Sequence, residues 1–186
     1  MFPLVLLLTL RGIDMRLFGL LLLLAALEGC AVVDHSPGQA TLSREAKWAL
    51  LPIANHTDVA QAGLRAEAIA EGVLRSRGVA NLLHYPSALN PESLLEPSER
   101  KTQAEAGKWA HEAGARYALT GAVDEWRYKV GIDGEAAVGL ALQIVDLDSG
   151  AVIWSGVGAR SGWSREALSA VAQKLMRELL DSARLQ

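Results

Sequence analysis

Tyr117-Ala-Leu-Thr-Gly-Ala-Val-Asp-Glu-Trp-Arg-Tyr-Lys-Val130 alternates with a period of two, the spacing that sends successive side chains to opposite faces of a β-strand. Tyr117, Leu119, Gly121 and Val123 share one parity, whereas Trp126, Tyr128 and Val130 share the other. A slip of one residue flips every side chain to the wrong face, so a bulge is expected near Asp124-Glu125. Gly131-Ile-Asp-Gly134 reads as a hairpin turn, and Val138, Leu140, Leu142 and Ile144 as the strand that returns from it. Asp148-Ser-Gly150 turns the chain once more, into a strand over 151–156. This half of the chain is an antiparallel meander.

Upstream, residues 47–55 are mostly apolar and have the length of a buried strand. Pro52 has no N–H to give to a ladder, which predicts an edge strand or a strand that ends there. Asn55-His-Thr-Asp58 supplies turn and N-cap chemistry. The helix that follows runs to about Arg77, with Ala62, Ala66, Ile69 and Val73 on one face and Gly78 as its stop. Residues 79–85 are a second short strand. Residues 86–98 carry three prolines and no periodicity, a connection of the length often seen in functional loops and in plain surface excursions. A second helix, capped near Ser98, has Ala106, Trp109, Ala110 and Ala113 as its stripe and stops at Gly114. The last helix opens near Ser164 and buries Leu168, Val171, Ala172, Leu175 and Leu179. The order β-α-β-α-β-β-β-α predicts an α+β fold, a mainly antiparallel sheet packed by helices.

The N-terminal region is different in kind. Leu20-Leu-Leu-Leu-Leu-Ala-Ala-Leu-Glu-Gly-Cys30 is an apolar run ending in a small residue and the only cysteine of the chain. Crossing a ~30 Å hydrocarbon layer takes roughly 20 apolar residues, so this run suits a signal-peptide core better than a membrane span. The cysteine placed after it resembles the lipobox of bacterial lipoproteins, which implies that Cys30 becomes the lipid-modified first residue. Glu28 departs from that pattern. An earlier apolar run, 2–10, precedes Arg11 and Asp14; a start at Met15 gives Met15-Arg16 as the positive region and Leu17 onward as the apolar core. The expected division is therefore a signal peptide over 1–29, a lipidated tether over 30–45 and a single α+β domain over 46–186. The tether assignment follows from the small polar residues after Ala31. By the lipoprotein resemblance, Ala31 in place of the aspartate that signals inner-membrane retention implies the outer membrane.

Charge and motifs narrow the chemistry. The chain has 18 Lys and Arg against 21 Asp and Glu, a formal net charge of −3. The leader holds two of each sign, so the mature chain keeps that balance, which offers nucleic acid no general attraction. With Cys30 acylated no thiol is left for a disulfide or a cysteine metal site. His35, His56, His84 and His111 are scattered without metal-ligand spacing, and no nucleophile elbow is present. Gly156-Val-Gly-Ala-Arg-Ser-Gly162 lacks the βαβ unit that a dinucleotide loop requires, because the chain ends with the helix that follows it. No metal, no cofactor beyond the covalent lipid and no enzymatic reaction are expected. Trp48, Trp109, Trp126 and Trp154 fall on strands or a helix face and read as core. Trp163 falls in a turn, where an amphipathic ring suits a membrane interface; a local staple is the alternative.

Trp-Ala-Leu-Leu-Pro-Ile-Ala-Asn-His-Thr (48–57) resembles the opening of periplasmic lipoproteins related to the curli-secretion factor CsgG. Glu125-Trp-Arg-Tyr-Lys-Val-Gly-Ile-Asp-Gly-Glu135, Ser149-Gly-Ala-Val-Ile-Trp-Ser155 and Gly158-Ala-Arg-Ser-Gly-Trp-Ser-Arg-Glu-Ala-Leu-Ser-Ala-Val-Ala-Gln173 resemble the PelC family, outer-membrane lipoproteins of Pel polysaccharide export. That resemblance implies a dodecameric ring on the periplasmic face of the outer membrane, under a PelB-like porin. It also implies an electronegative funnel that guides a cationic amino-sugar polysaccharide, and aromatic side chains that seat the ring in the inner leaflet, a role carried to Trp163. The acidic candidates for the funnel are Asp124, Glu125, Asp133 and Glu135 around the first hairpin, with Asp146 and Asp148 behind them. Two other functions are compatible with the sequence: an accessory lipoprotein that activates a cell-wall synthase by contact, and a periplasmic glycan-modifying enzyme.

Overall fold

A computed structural model of the chain describes residues 31–35, 41–86, 97–130, 134–163 and 165–186. The leader 1–29, Cys30 and Asp133 lie outside the described residues. Six strands, β1 (Ala31–His35), β2 (Trp48–Asn55), β3 (Leu82–His84), β4 (Tyr117–Tyr128), β5 (Ala136–Asp146) and β6 (Ala151–Ser161), form one sheet in the order β1-β6-β5-β4-β2-β3. The described helices are α1 (Ala62–Ser76), α2 (Pro97–Glu112) and α3 (Leu168–Asp181). β1, β6, β5 and β4 are antiparallel neighbours, whereas β2 runs parallel to both β4 and β3. The fold is α+β with a mostly antiparallel sheet, as the sequence predicts. The bulge is also where the parity change requires it: the β4–β5 register shifts between Val123 and Glu125, and Trp126 returns to the core at 2% exposure.

The large side chains gather on one side of the sheet. Trp48, Leu50, Leu119, Leu140, Ile144 and Trp154 meet the buried stripes of α1 and α3, which also pack on each other. Two glycines make the approach of α3 possible. A Cβ on Gly156 would stand 2.8 Å from the Trp154 ring, and one on Gly158 would stand 3.0 Å from Cδ1 of Leu175. On the other side, α2 covers only the β2 end, with Ala106 and Ala110 against Ala49, Leu51, Ala118 and Tyr85. Trp109 meets Tyr85 edge-on at 5.3 Å.

Three expectations are corrected. The segment read as tether contains β1, whose five residues pair with β6 from Ala31↔Arg160 to His35↔Gly156. β6 runs on to Ser161 rather than ending at Gly156; its glycines depress strand propensity but face α3, where only hydrogen fits. β2 is an interior strand despite Pro52. The β2–β4 register breaks between Leu50 and Ile53, which frees the ladder positions that proline cannot fill. Side chains repair the gap: the Thr120 hydroxyl donates to the Pro52 carbonyl at 2.9 Å, and the Ile53 N–H donates to Glu67 Oε1 at 2.9 Å. Smaller differences concern the helix starts. Asn55 does organise a turn, accepting from the Thr57 N–H and hydroxyl, but α1 begins only at Ala62 with no side-chain cap, and α3 begins at Leu168.

Glu67 is 3% exposed and its second oxygen lies 3.1 Å from Nε2 of His84. An apolar substitute would strand the Ile53 N–H beside a helix. An unsatisfied buried donor costs about 1–3 kcal/mol. Glu67→Leu is expected to lower the midpoint of thermal unfolding by several degrees, about 2–4 °C per kcal/mol for a domain of this size. Glu67→Gln, which keeps an acceptor for Ile53, should recover part of the loss in calorimetry.

Candidate functional site

At one end of the sheet three chain segments converge. β4 and β5 are joined there, and the Lys129 N–H donates to the Glu135 carbonyl at 2.7 Å. β6 ends there too: the Gly162 N–H donates to the Ala136 carbonyl, and Lys129 Nζ donates to the Ser161 hydroxyl at 2.6 Å. β1 begins at this end, with Ala31 opposite Arg160. Ala31 is thus paired with a residue three positions before Trp163 in the chain.

The Trp163 turn is held by Glu166. Its carboxylate accepts the Trp163 N–H at 3.2 Å and the Lys174 ammonium at 2.6 Å. Arg165 takes a left-handed backbone, φ 65°, a conformation that other residues than glycine adopt at a cost. With the turn so drawn, the Trp163 ring is 53% exposed. Tyr128 and Val130 are exposed at the same end, and the Tyr128 hydroxyl accepts the Leu168 N–H at the start of α3. An apolar and aromatic rim flanked by Lys129 and Arg165 is therefore on the surface, of the mixed character that suits a headgroup layer. Sequence reasoning found Trp163 but missed Glu166, Tyr128 and Val130. The spacing of Glu166, three residues after the tryptophan, was the one available signal.

The acidic candidates are not brought together. Glu135 is exposed at the Trp163 end. Asp124 and Glu125 sit at the β4 bulge, where Asp124 pairs with Nδ1 of His56 at 2.9 Å and Glu125 with Arg127 at 2.9 Å. Asp146 and Asp148 lie at the opposite end of β5. Asp146 is 8% exposed and closes the β5–β6 turn, accepting the Asp148 and Ser149 N–H groups while Arg116 binds its other oxygen at 2.6 Å. Asp148 pairs with the same guanidinium. Among the described residues, no group of three or more His, Cys, Asp and Glu is arranged to hold a metal ion, and no helix is long and apolar enough to cross a membrane.

Fold and site together define a small α+β domain whose distinctive surface is an exposed rim. No protein-family model matches the chain, and no curated protein matches it. Solved structures do. A PelC dodecamer from Paraburkholderia phytofirmans is 39% identical, over 84% of this chain and 99% of that one, with a TM-score of 0.71. A single-substitution variant of the same protein, also a dodecamer, is 38% identical over 84% of this chain and 100% of that one, with a TM-score of 0.72. The chain belongs to the PelC family.

The Lys174 ammonium, aided by the Trp163 N–H, holds the Glu166 carboxyl below the usual carboxylate range despite its partial burial. A lowered folded value contributes stability above the unfolded value, about 4.3 for glutamate, and loses it as pH falls through the folded one. Glu166→Gln should therefore lower the thermal midpoint at pH 7 and flatten its decline on acidification. Melting curves of both proteins from pH 7 to pH 3 measure this.

Proposed function

We propose that this chain is a non-catalytic, lipid-anchored subunit of a Pel polysaccharide export assembly, ringed with copies of itself at the periplasmic face of the outer membrane. The likeness to PelC dodecamers over nearly the whole of those chains carries the reading. In this reading Cys30 bears the lipid and Trp163 enters the inner leaflet beside it. The pairing of Ala31 with Arg160 supports that, since anchor and aromatic rim then share one end of the domain. A PelB-like porin would take the polymer onward.

The work is electrostatic. Walls of one sign focus potential and concentrate a counter-charged polymer, and a ring multiplies what each subunit presents. Asp124, Glu125, Asp133 and Glu135 are the carboxylates assigned to the cationic polysaccharide. Asp148 is a weaker contributor because Arg116 offsets its charge, and Asp146 serves its turn. Exposed contacts of this kind are weak, about 0–1 kcal/mol for an ion pair such as Glu125–Arg127, so a polycation can exchange with His56 or Arg127 for the carboxylates they hold.

Two measurements test the reading. Replacing Asp124, Glu125, Asp133 and Glu135 by Asn or Gln should impair polymer export at unchanged protein level; export at the wild-type yield rejects the funnel. Trp163→Ala should weaken association with outer-membrane-like vesicles and leave the thermal midpoint within a degree or two. A large fall in that midpoint with intact vesicle binding would make the ring a structural staple.

A further inference from the structure

The edge of the sheet at β3 is held by a chain of polar contacts that the export reading does not use. β3 is three residues long and has a strand on one side only, with rungs from Trp48↔Leu82 to Leu50↔His84. Its last residue, His84, lies between two carboxylates of α1. Nε2 stands 3.1 Å from Oε2 of Glu67, and Nδ1 stands 3.2 Å from Oε2 of Glu71. The other oxygen of each acid is already engaged: Glu67 Oε1 accepts the Ile53 N–H, and Glu71 Oε1 accepts from Arg75. Arg75 in turn donates to the carbonyls of Ala80 and Leu82, where the chain enters β3.

The arrangement depends on how many protons it holds. A neutral imidazole has one N–H and one lone pair, and an ionised carboxylate can only accept. With both acids ionised, a neutral His84 would satisfy one of them and turn its lone pair on the other. Glu67 is poorly placed to swing away, since it is buried and tied to Ile53. Arg75 first, and His84 after it, hold the Glu71 carboxyl below the usual carboxylate range in spite of its partial burial, so that acid remains an acceptor. Both contacts are hydrogen bonds only when the cluster carries two protons, either both on the ring or one on the ring and one on Glu67. Among the described residues, β2 and α1 are the elements packed on β3. β2 has no ionisable side chain; α1 brings Glu67 and Glu71 to the ring, with Arg75 behind Glu71.

We infer that Glu67, His84 and Glu71 form a proton-dependent clamp that ties the β3 edge to α1, the folded cluster keeping one proton more than the same groups hold in the unfolded chain above about pH 6.5, the ordinary value for histidine. A native state that binds more protons than the unfolded one loses stability as pH rises. Below about pH 6.5 the unfolded chain is protonated at His84 too, and the clamp is fully in force. Above it the extra proton is taken up from an ever more dilute supply, and the clamp weakens by at most about tenfold in its equilibrium constant per pH unit for one proton. An edge strand this short, with few rungs of its own, is among the first parts of a sheet to open when such a contact is lost.

Hydrogen exchange of the full mature protein in detergent tests this from about pH 5.5 to about pH 8.5, the range in which histidine changes charge. It is read by mass spectrometry and corrected for the intrinsic pH dependence of exchange. The reporter is the peptide containing the Tyr85 N–H, which donates to the Leu50 carbonyl at 2.9 Å beside His84; a β5 peptide is the reference for the folded core. In the wild type, protection of the reporter is expected to fall several-fold as pH rises while the β5 peptide stays protected. In Glu71→Gln the side-chain amide can donate to a neutral ring, so no extra proton is needed and protection should stay level. His84→Gln has no titrating ring and should also give a level profile, at whatever absolute protection it retains. His56→Gln, whose ring pairs with Asp124 instead, should keep the wild-type slope. A purely structural role for the cluster would change protection equally at every pH. A wild-type profile that is level, a slope that persists in Glu71→Gln or His84→Gln, or a slope lost in His56→Gln overturns the clamp, and each leaves the export reading standing.

Discussion

The closeness of α3 to β6 governs how this domain distributes its bulk. Gly156 and Gly158 face the helix, and the space a Cβ would take is filled by Trp154 and Leu175. Helix and strand can therefore sit near contact distance with the large side chains interleaved around them. Close packing of that sort is intolerant of added volume. It draws Leu119, Leu140, Ile144, Leu175, Met176 and Leu179 to one side of the sheet. What is left for the other side of β5 and β6 is, Gln143 apart, small or aliphatic.

Much of this was legible from one strand. The change of parity after Val123 is a purely local signal, and the bulge follows because Trp126 has more to lose by facing water than the ladder loses by one irregular pair. The helix stripes were legible for the same reason: their period is set by the backbone. Pro52 misled because its effect was judged against the ladder alone. Glu67 and Thr120 supply the missing partners from fourteen residues downstream on α1 and from the neighbouring strand, and no local window contains them. Glycines 156 and 158 misled in the opposite sense, since low strand propensity was the cost of a packing relation with a helix that comes later in the chain.

The candidate site divides along similar lines. Trp163 was found because a large ring in a turn is anomalous in one dimension already. Carboxylates are not anomalous, and their neighbours decide what they do. Asp146 and Asp148 look alike in sequence, yet one is nearly buried beneath backbone N–H donors and the other is exposed; a single arginine, Arg116, ties both. Glu166 is the reverse case, an inconspicuous residue that holds the turn presenting the tryptophan.

The first strand has one more consequence. Ala31 opens β1 and His35 closes it, five rungs along β6. Tension applied along the axis of β1 loads these five rungs together in shear instead of unzipping them one after another. A first strand held in this way behaves less like a leash than like a dowel: it passes tension into the body of the sheet and limits swivelling about its own axis.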